Sequence, residues 1–173
     1  MRNLFFLFSL SILLGCKLDS NFPTVPKIEY SHVSKNVIKN AENSFTIYFK
    51  FEDAEGDLGG DSVKGVSNDC DYFDTEDLTA NSCFKKINWN LFVVDTRNRD
   101  GFKPFIVSIP RLVPVPESEQ EPLSGVISVI MSNAACKPLE KERDTVIYSI
   151  QIKDQAGNFS NKIYTEPIYI VKN

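Results

Sequence analysis

The segment SFTIYFKFE, residues 44–52, alternates without a break. Phe45, Ile47, Phe49 and Phe51 fall on one side, and Thr46, Tyr48, Lys50 and Glu52 on the other. Side chains along an extended strand point alternately to opposite faces, so the pattern specifies a strand with one buried and one wet face. KINWNLFVVD, residues 86–95, repeats it with Ile87, Trp89, Leu91 and Val93 on one side. PKIEYSHV (26–33), PFIVSIP (104–110), GVISVIM (125–131), TVIYSIQIK (145–153) and IYTEPIYIV (163–171) read the same way. The loops between them are rich in Gly, Asn, Asp and Pro, and no long amphipathic helix or internal repeat interrupts the series. Seven such strands predict an all-β, antiparallel, two-sheet sandwich.

The first residues do not belong to that series. Met1-Arg2-Asn3 carries one positive charge and is followed by LFFLFSLSILL, Leu4–Leu14, eleven residues that are apolar apart from two serines. A helix that crosses a bilayer needs about 20 apolar residues, so this run is too short to span and suits the apolar region of a secretory signal. It ends in Leu13-Leu14-Gly15-Cys16, which resembles a bacterial lipobox. The resemblance implies cleavage by signal peptidase II before Cys16, acylation of that cysteine, and a membrane as partner through the lipid. Two or three acyl chains, at about 0.8 kcal/mol per buried methylene, anchor durably where one does not. The competing reading is an ordinary secretory signal with an incidental cysteine. Lys17 follows Cys16 without an aspartate, which by the same analogy implies the outer membrane. CKLD is also similar to the export signal of Bacteroidota surface lipoproteins but has no consecutive acids after the lysine, so surface and periplasmic faces both stay open.

On this reading residues 1–15 are a signal peptide, 16–26 a lipidated cysteine with its tether, and 27–173 one domain. Pro23 and Pro26 keep the tether extended. Residues 16–173 carry 18 Lys and Arg against 23 Asp and Glu, so nucleic acid is not an expected partner. Cys70, Cys83 and Cys136 remain after Cys16. An exported protein meets oxidising conditions, which favours one disulfide and one leftover thiol. Cys70–Cys83 is the expected pair, closing a loop worth roughly 3 kcal/mol in the chain-entropy model. No CxxC or His-rich spacing points to zinc.

Asp144–Asn161, DTVIYSIQIKDQAGNFSN, resembles the F–G region of immunoglobulin-like and fibronectin type III-like domains. Asp144, Val146, Tyr148 and Ile150 stand on the D-x-A-x-Y-x-C positions of an antibody F strand, with Ile150 in place of the disulfide cysteine. The resemblance implies a seven-stranded immunoglobulin-like sandwich with strands A to G, a tyrosine corner at Tyr148, and a long acidic B–C insert. FEDAEGDLGGDS, Phe51–Ser62, is similar to an F-x-D-x-(D/E)-G-D-(I/L)-G segment of uncharacterised Bacteroidota lipoproteins. Neither resemblance brings a known activity.

In that topology the B–C, D–E and F–G loops share one end. The insert, residues 53–85, places nine acids against Lys64 and Lys85 there, and the loop 111–124 adds Glu117, Glu119 and Glu121 against Arg111. A charged loop can simply be solvated and keep the protein soluble. Alternatively, its acids bind a cation. Ca2+ takes about six to eight oxygens, which spaced acids in a Gly-containing loop supply. Asp53, Glu55, Asp57, Asp61, Asp154 and Asn158 are the candidate ligands, and Ca2+ is the candidate cofactor. The EF-hand pattern fails, with Leu58 where its glycine belongs and Lys64 where its glutamate belongs. A third reading has the aspartates capping loop amides and binding nothing. Tyr72 and Phe73, inside the Cys70–Cys83 loop, either form a recognition tip for a protein or glycan or cover the end of the sandwich. The first strand begins at this end, so an extended tether of at most ~30 Å would hold the acidic end toward the membrane.

Catalysis has little to stand on. His32 is the single histidine, and no Gly-x-Ser-x-Gly elbow, phosphate loop or Cys-His pair is present. A lipid-anchored, non-catalytic binding or scaffolding module is the expectation, with glycan binding or a subunit of an envelope enzyme complex as alternatives.

Overall fold

The computed structural model describes residues 22–39, 44–59, 90–97, 105–107, 109–110, 121–131 and 143–171. Among them are ten strands and no helix: β1 (Lys27–Val33), β2 (Val37–Lys39), β3 (Phe45–Asp53), β4 (Leu91–Asp95), β5 (Phe105–Val107), β6 (Leu123–Met131), β7 (Arg143–Val146), β8 (Tyr148–Ile152), β9 (Ile163–Tyr164) and β10 (Ile168–Val171). They form three small sheets, β1-β3-β6, β2-β10-β7 and β5-β4-β8-β9. All pairings are antiparallel except β2 with β10. The chain is all-β, broadly as expected of a β-sandwich.

Strand β3 follows its sequence pattern. Phe45, Ile47, Phe49 and Phe51 are buried while Lys50 and Glu52 are exposed. Each buried apolar side chain contributes roughly 2 kcal/mol, an upper figure because the unfolded chain is itself partly collapsed. Those four side chains meet Ile28, Leu91, Val93, Val129, Met131, Val146, Tyr148, Ile150, Ile152, Ile168 and Ile170 in one continuous core fed by all three sheets. The Phe51 ring also lies against Gly125, its register partner on β6, covering backbone that a side chain would otherwise shield.

The expected seven strands are divided differently. The segment expected over 145–153 is split at Ile147 into β7 and β8, and that over 163–171 is split at 165–167 into β9 and β10. Pro167 has no N–H to give a ladder, and Thr165 takes over locally. Its N–H donates to the Tyr148 carbonyl at 2.9 Å and its hydroxyl accepts from the Tyr148 N–H at 3.1 Å. The split lets the two paths exchange partners, β8 with β4 and β9, β7 with β10. Strand β2 was not expected at all, and its parallel pairing departs from a purely antiparallel plan. β5 pairs with β4, so the fourth of the seven expected segments extends the sheet of the third.

Strand β4 is buried on both faces, not one. Phe92 stacks at a tilt on Phe159, centroids 5.5 Å apart, and covers the side opposite the core. Asn90, just before β4, holds the 109 region: its Oδ1 accepts from the Ile109 N–H at 2.5 Å and its Nδ2 donates to the Ile109 carbonyl at 3.1 Å. At the other end of β4, Arg97 grips Asp95 with Nε at 2.9 and 3.0 Å and bonds Asp144 through a second nitrogen.

Candidate functional site

Two strands carry their buried face on to an aspartate, β3 at its last residue and β8 two residues beyond its end. On β3 the buried series Phe45, Ile47, Phe49, Phe51 continues to Asp53, which is wholly buried. On β8 the series Tyr148, Ile150, Ile152 continues to Asp154, also buried. Period two therefore delivers two carboxylates to one end of the core. Leu58 brings them together. It is buried, bridges in antiparallel fashion to Asp154, and its N–H donates to Asp53 Oδ2 at 3.1 Å.

The turn from β3 needs a left-handed residue, supplied by Gly56 at φ 65°. Beyond it, Asp57 is buried, and its Oδ2 accepts from the Ala156 N–H at 3.2 Å. The side chain of Gln155 donates to the Gly59 carbonyl at 2.8 Å, giving a second tie between the turns. Asp154 organises its own turn: Oδ1 accepts from the Asn158 N–H at 2.7 Å and Oδ2 from the Asn158 side-chain amide at 2.8 Å.

The electrostatics follow from burial and like charge. Burial pushes the Asp53 carboxyl above its usual value, the Asp154 charge pushes the same way, and the amides of Glu55, Leu58 and Asp57 pull back. Asp57 is pushed up to about 6, first by burial and then by the charges of Asp154 and Asp53, with Glu55 the smallest addition. Burial pulls the ammonium of neighbouring Lys153 down, opposed by Asp154. Two oxygens, Asp53 Oδ1 and Asp57 Oδ1, are buried without a hydrogen-bond partner.

Of the six expected cation ligands, Asp53, Asp57 and Asp154 are gathered in this pole. Glu55 is exposed on the far side of the turn. Asn158 is exposed and gives both its amides to Asp154. Asp61 lies outside the described residues, as do Cys16, Cys70, Cys83, Tyr72 and Phe73. Among the described residues no group of three or more His, Cys, Asp or Glu side chains forms a ready-made metal shell. Sequence reasoning missed Leu58, Gln155 and the Ala156 amide; strand parity run one residue past each strand end would have flagged the inward aspartates by a route other than loop acidity. His32 sits exposed on β1, stacked on Tyr48 at 4.5 Å and bonded to the Ser31 hydroxyl at 2.9 Å.

The first described residues lie beside this pole. Lys27 pairs with Glu52, and the Ala54 N–H donates to the Pro23 carbonyl at 3.0 Å. No family model, no curated protein and no solved structure matches the chain.

Proposed function

We propose that this is a lipid-anchored envelope protein whose immunoglobulin-like sandwich serves as a non-catalytic binding or scaffolding module. Two sheets of such a sandwich accommodate the strand order: β1-β3-β6 as one, and β2-β10-β7 joined through the β7–β8 and β9–β10 paths to β5-β4-β8-β9 as the other. A lipobox-like LLGC supports the anchor. The observation that carries the orientation is the Ala54–Pro23 hydrogen bond. It fixes the chain seven residues after Cys16 against the acidic pole, so a lipid on Cys16 holds that pole inward and turns the 95–97 and 143–145 end outward.

The test is the mass of the mature protein from native membranes and its behaviour after Cys16→Ser. Acyl chains on an N-terminal Cys16, with release of Cys16→Ser from the membrane fraction, support the reading. A native N-terminus elsewhere, or a mature mass without fatty acid, overturns it.

A further inference from the structure

The hydrogen-bond account of the acidic pole does not close. Each of its three carboxylates has partners, yet Asp53 Oδ1 and Asp57 Oδ1 are left bare inside the protein. Asp53 is 0% exposed and Asp57 8%. A buried carboxylate oxygen without a hydrogen-bond donor is costly to hold. Among neighbouring side chains the Asp154 carboxylate presses on both members of the pair, and Asp53 presses on Asp57. The buried ammonium of Lys153 is coupled to Asp154, the third carboxylate of the pole.

We propose that the Asp53–Asp57 pair is the nucleus of a divalent-cation site, fitted to Ca2+, that fastens the 53–59 turn to the 154–158 turn. Two hard carboxylate oxygens on a glycine-containing turn suit Ca2+, whose longer, variable coordination tolerates flexible loops; Mg2+ demands a near-ideal octahedron and keeps its waters. Two carboxylates are fewer than a preformed three-side-chain shell offers, so backbone carbonyls and water complete the coordination. Sites with so few charged ligands bind weakly, with Kd roughly 10⁻⁴–10⁻³ M, the range of extracellular modules. Asp154 stays with Asn158 and contributes its charge from the adjoining turn. The proposal uses residues 53–59 and 154–158 alone and stands or falls separately from the membrane anchor.

The experiment is a calcium titration of the purified full chain at neutral pH, read by calorimetry and by thermal unfolding with and without chelator. Saturable binding of one ion, with a rise in Tm of about 3 °C at a tenfold excess over Kd, supports the site. Mg2+ at the same concentration should give less than half that rise. Asp57→Asn should abolish the response while leaving the ion-free protein at least as stable, because it removes a buried charge. Glu55→Gln, on the exposed side of the turn, should respond like wild type, which separates a site from general screening. Absence of saturable binding to the wild-type chain overturns the proposal without reference to any variant. So does a response that survives Asp57→Asn, or a protein whose Tm follows pH but ignores calcium, since the pair would then share a proton.

Discussion

Gly56→Ala tests how tightly the acidic pole is built. Gly56 sits at φ 65°, where an L-residue pays about 1–2 kcal/mol against the following carbonyl. A Cβ placed there would also lie 2.2 Å from the Glu121 carbonyl oxygen and 3.2 Å from its carbon. Both atoms are backbone, two residues before β6 begins, and β6 is held to β3 along nine register pairs. The overlap cannot be relieved by a rotamer, and overpacking of that kind costs roughly 1–3 kcal/mol. Gly157→Ala is the control. Its φ is 92°, but a Cβ there meets nothing within 4 Å. Both substitutions also restrict the unfolded chain to a similar extent, so that contribution cancels in the difference. The expected losses are about 2–4 kcal/mol at Gly56 and about 1–2 kcal/mol at Gly157. Urea unfolding followed by the fluorescence of Trp89, the single tryptophan, measures both. Equal losses at the two glycines would refute the close approach of the Glu121 backbone.

The Asp57 carboxyl titrates near 6 in the fold and near its ordinary value when unfolded, so between those values the folded state holds the extra proton. Its destabilisation is fully present above pH 6 and fades as pH falls toward 4; in chelator, Asp57→Asn should therefore gain at most about 3 kcal/mol at pH 7 and little at pH 4, and parallel pH profiles for the two proteins would refute this. Arg97→Ala removes the guanidinium from the buried Asp95 and the half-buried Asp144, which keep the amides of residues 97 and 145, and should cost about 3 kcal/mol by urea titration, with Arg97→Lys restoring less than half because a lysine lacks the fork. Asn90→Ala removes both bonds to Ile109 from a buried position and should cost about 2 kcal/mol; a loss below a few tenths would mean that water replaces them.

What the sequence carried, it carried through period. Phe45 to Phe51 alternate, one face is buried, and the strand lies within one residue of its expected bounds. Strand β2 was illegible because it has three residues and one buried side chain, Ile38; its place is set by β10 alongside it. The double-sided burial of β4 was illegible for a related reason: Phe92 and Val94 read as the wet face, and what covers Phe92 is Phe159, sixty-seven residues away in sequence. At the site, Asp53, Asp57 and Asp154 were singled out as loop acids, together with Glu55 and Asn158. Composition cannot separate those two groups. Alternation stops at Asp53, and the left-handed step at Gly56 then decides that Asp57 turns in and Glu55 turns out.

Hydrophobic isosteres at Asp53 and Asp57 would match the apolar end of this core but would take away the acceptors of the Leu58 and Ala156 N–H groups. Leu58 already plugs it at 1% exposure, Phe51 lies two residues before Asp53 on the same strand face, and replacing buried charge by well-packed apolar volume is commonly neutral or stabilising. The pole's carboxylates therefore hold the turn amides at the cost of burying charge. Two turns from different sheets meet there through Leu58, Ala156 and Gln155, each by a single bond or bridge, with bare carboxylate oxygens beside them. A cation at the proposed site would add a tie between the two turns. Pro23, among the first described residues, is hydrogen-bonded to Ala54 at the edge of the same seam. If Cys16 carries lipid, an ion bound between Asp53 and Asp57 also lowers the repulsion between this pole and anionic headgroups, and calcium should then shorten the stand-off of the domain from the membrane as well as raise its Tm.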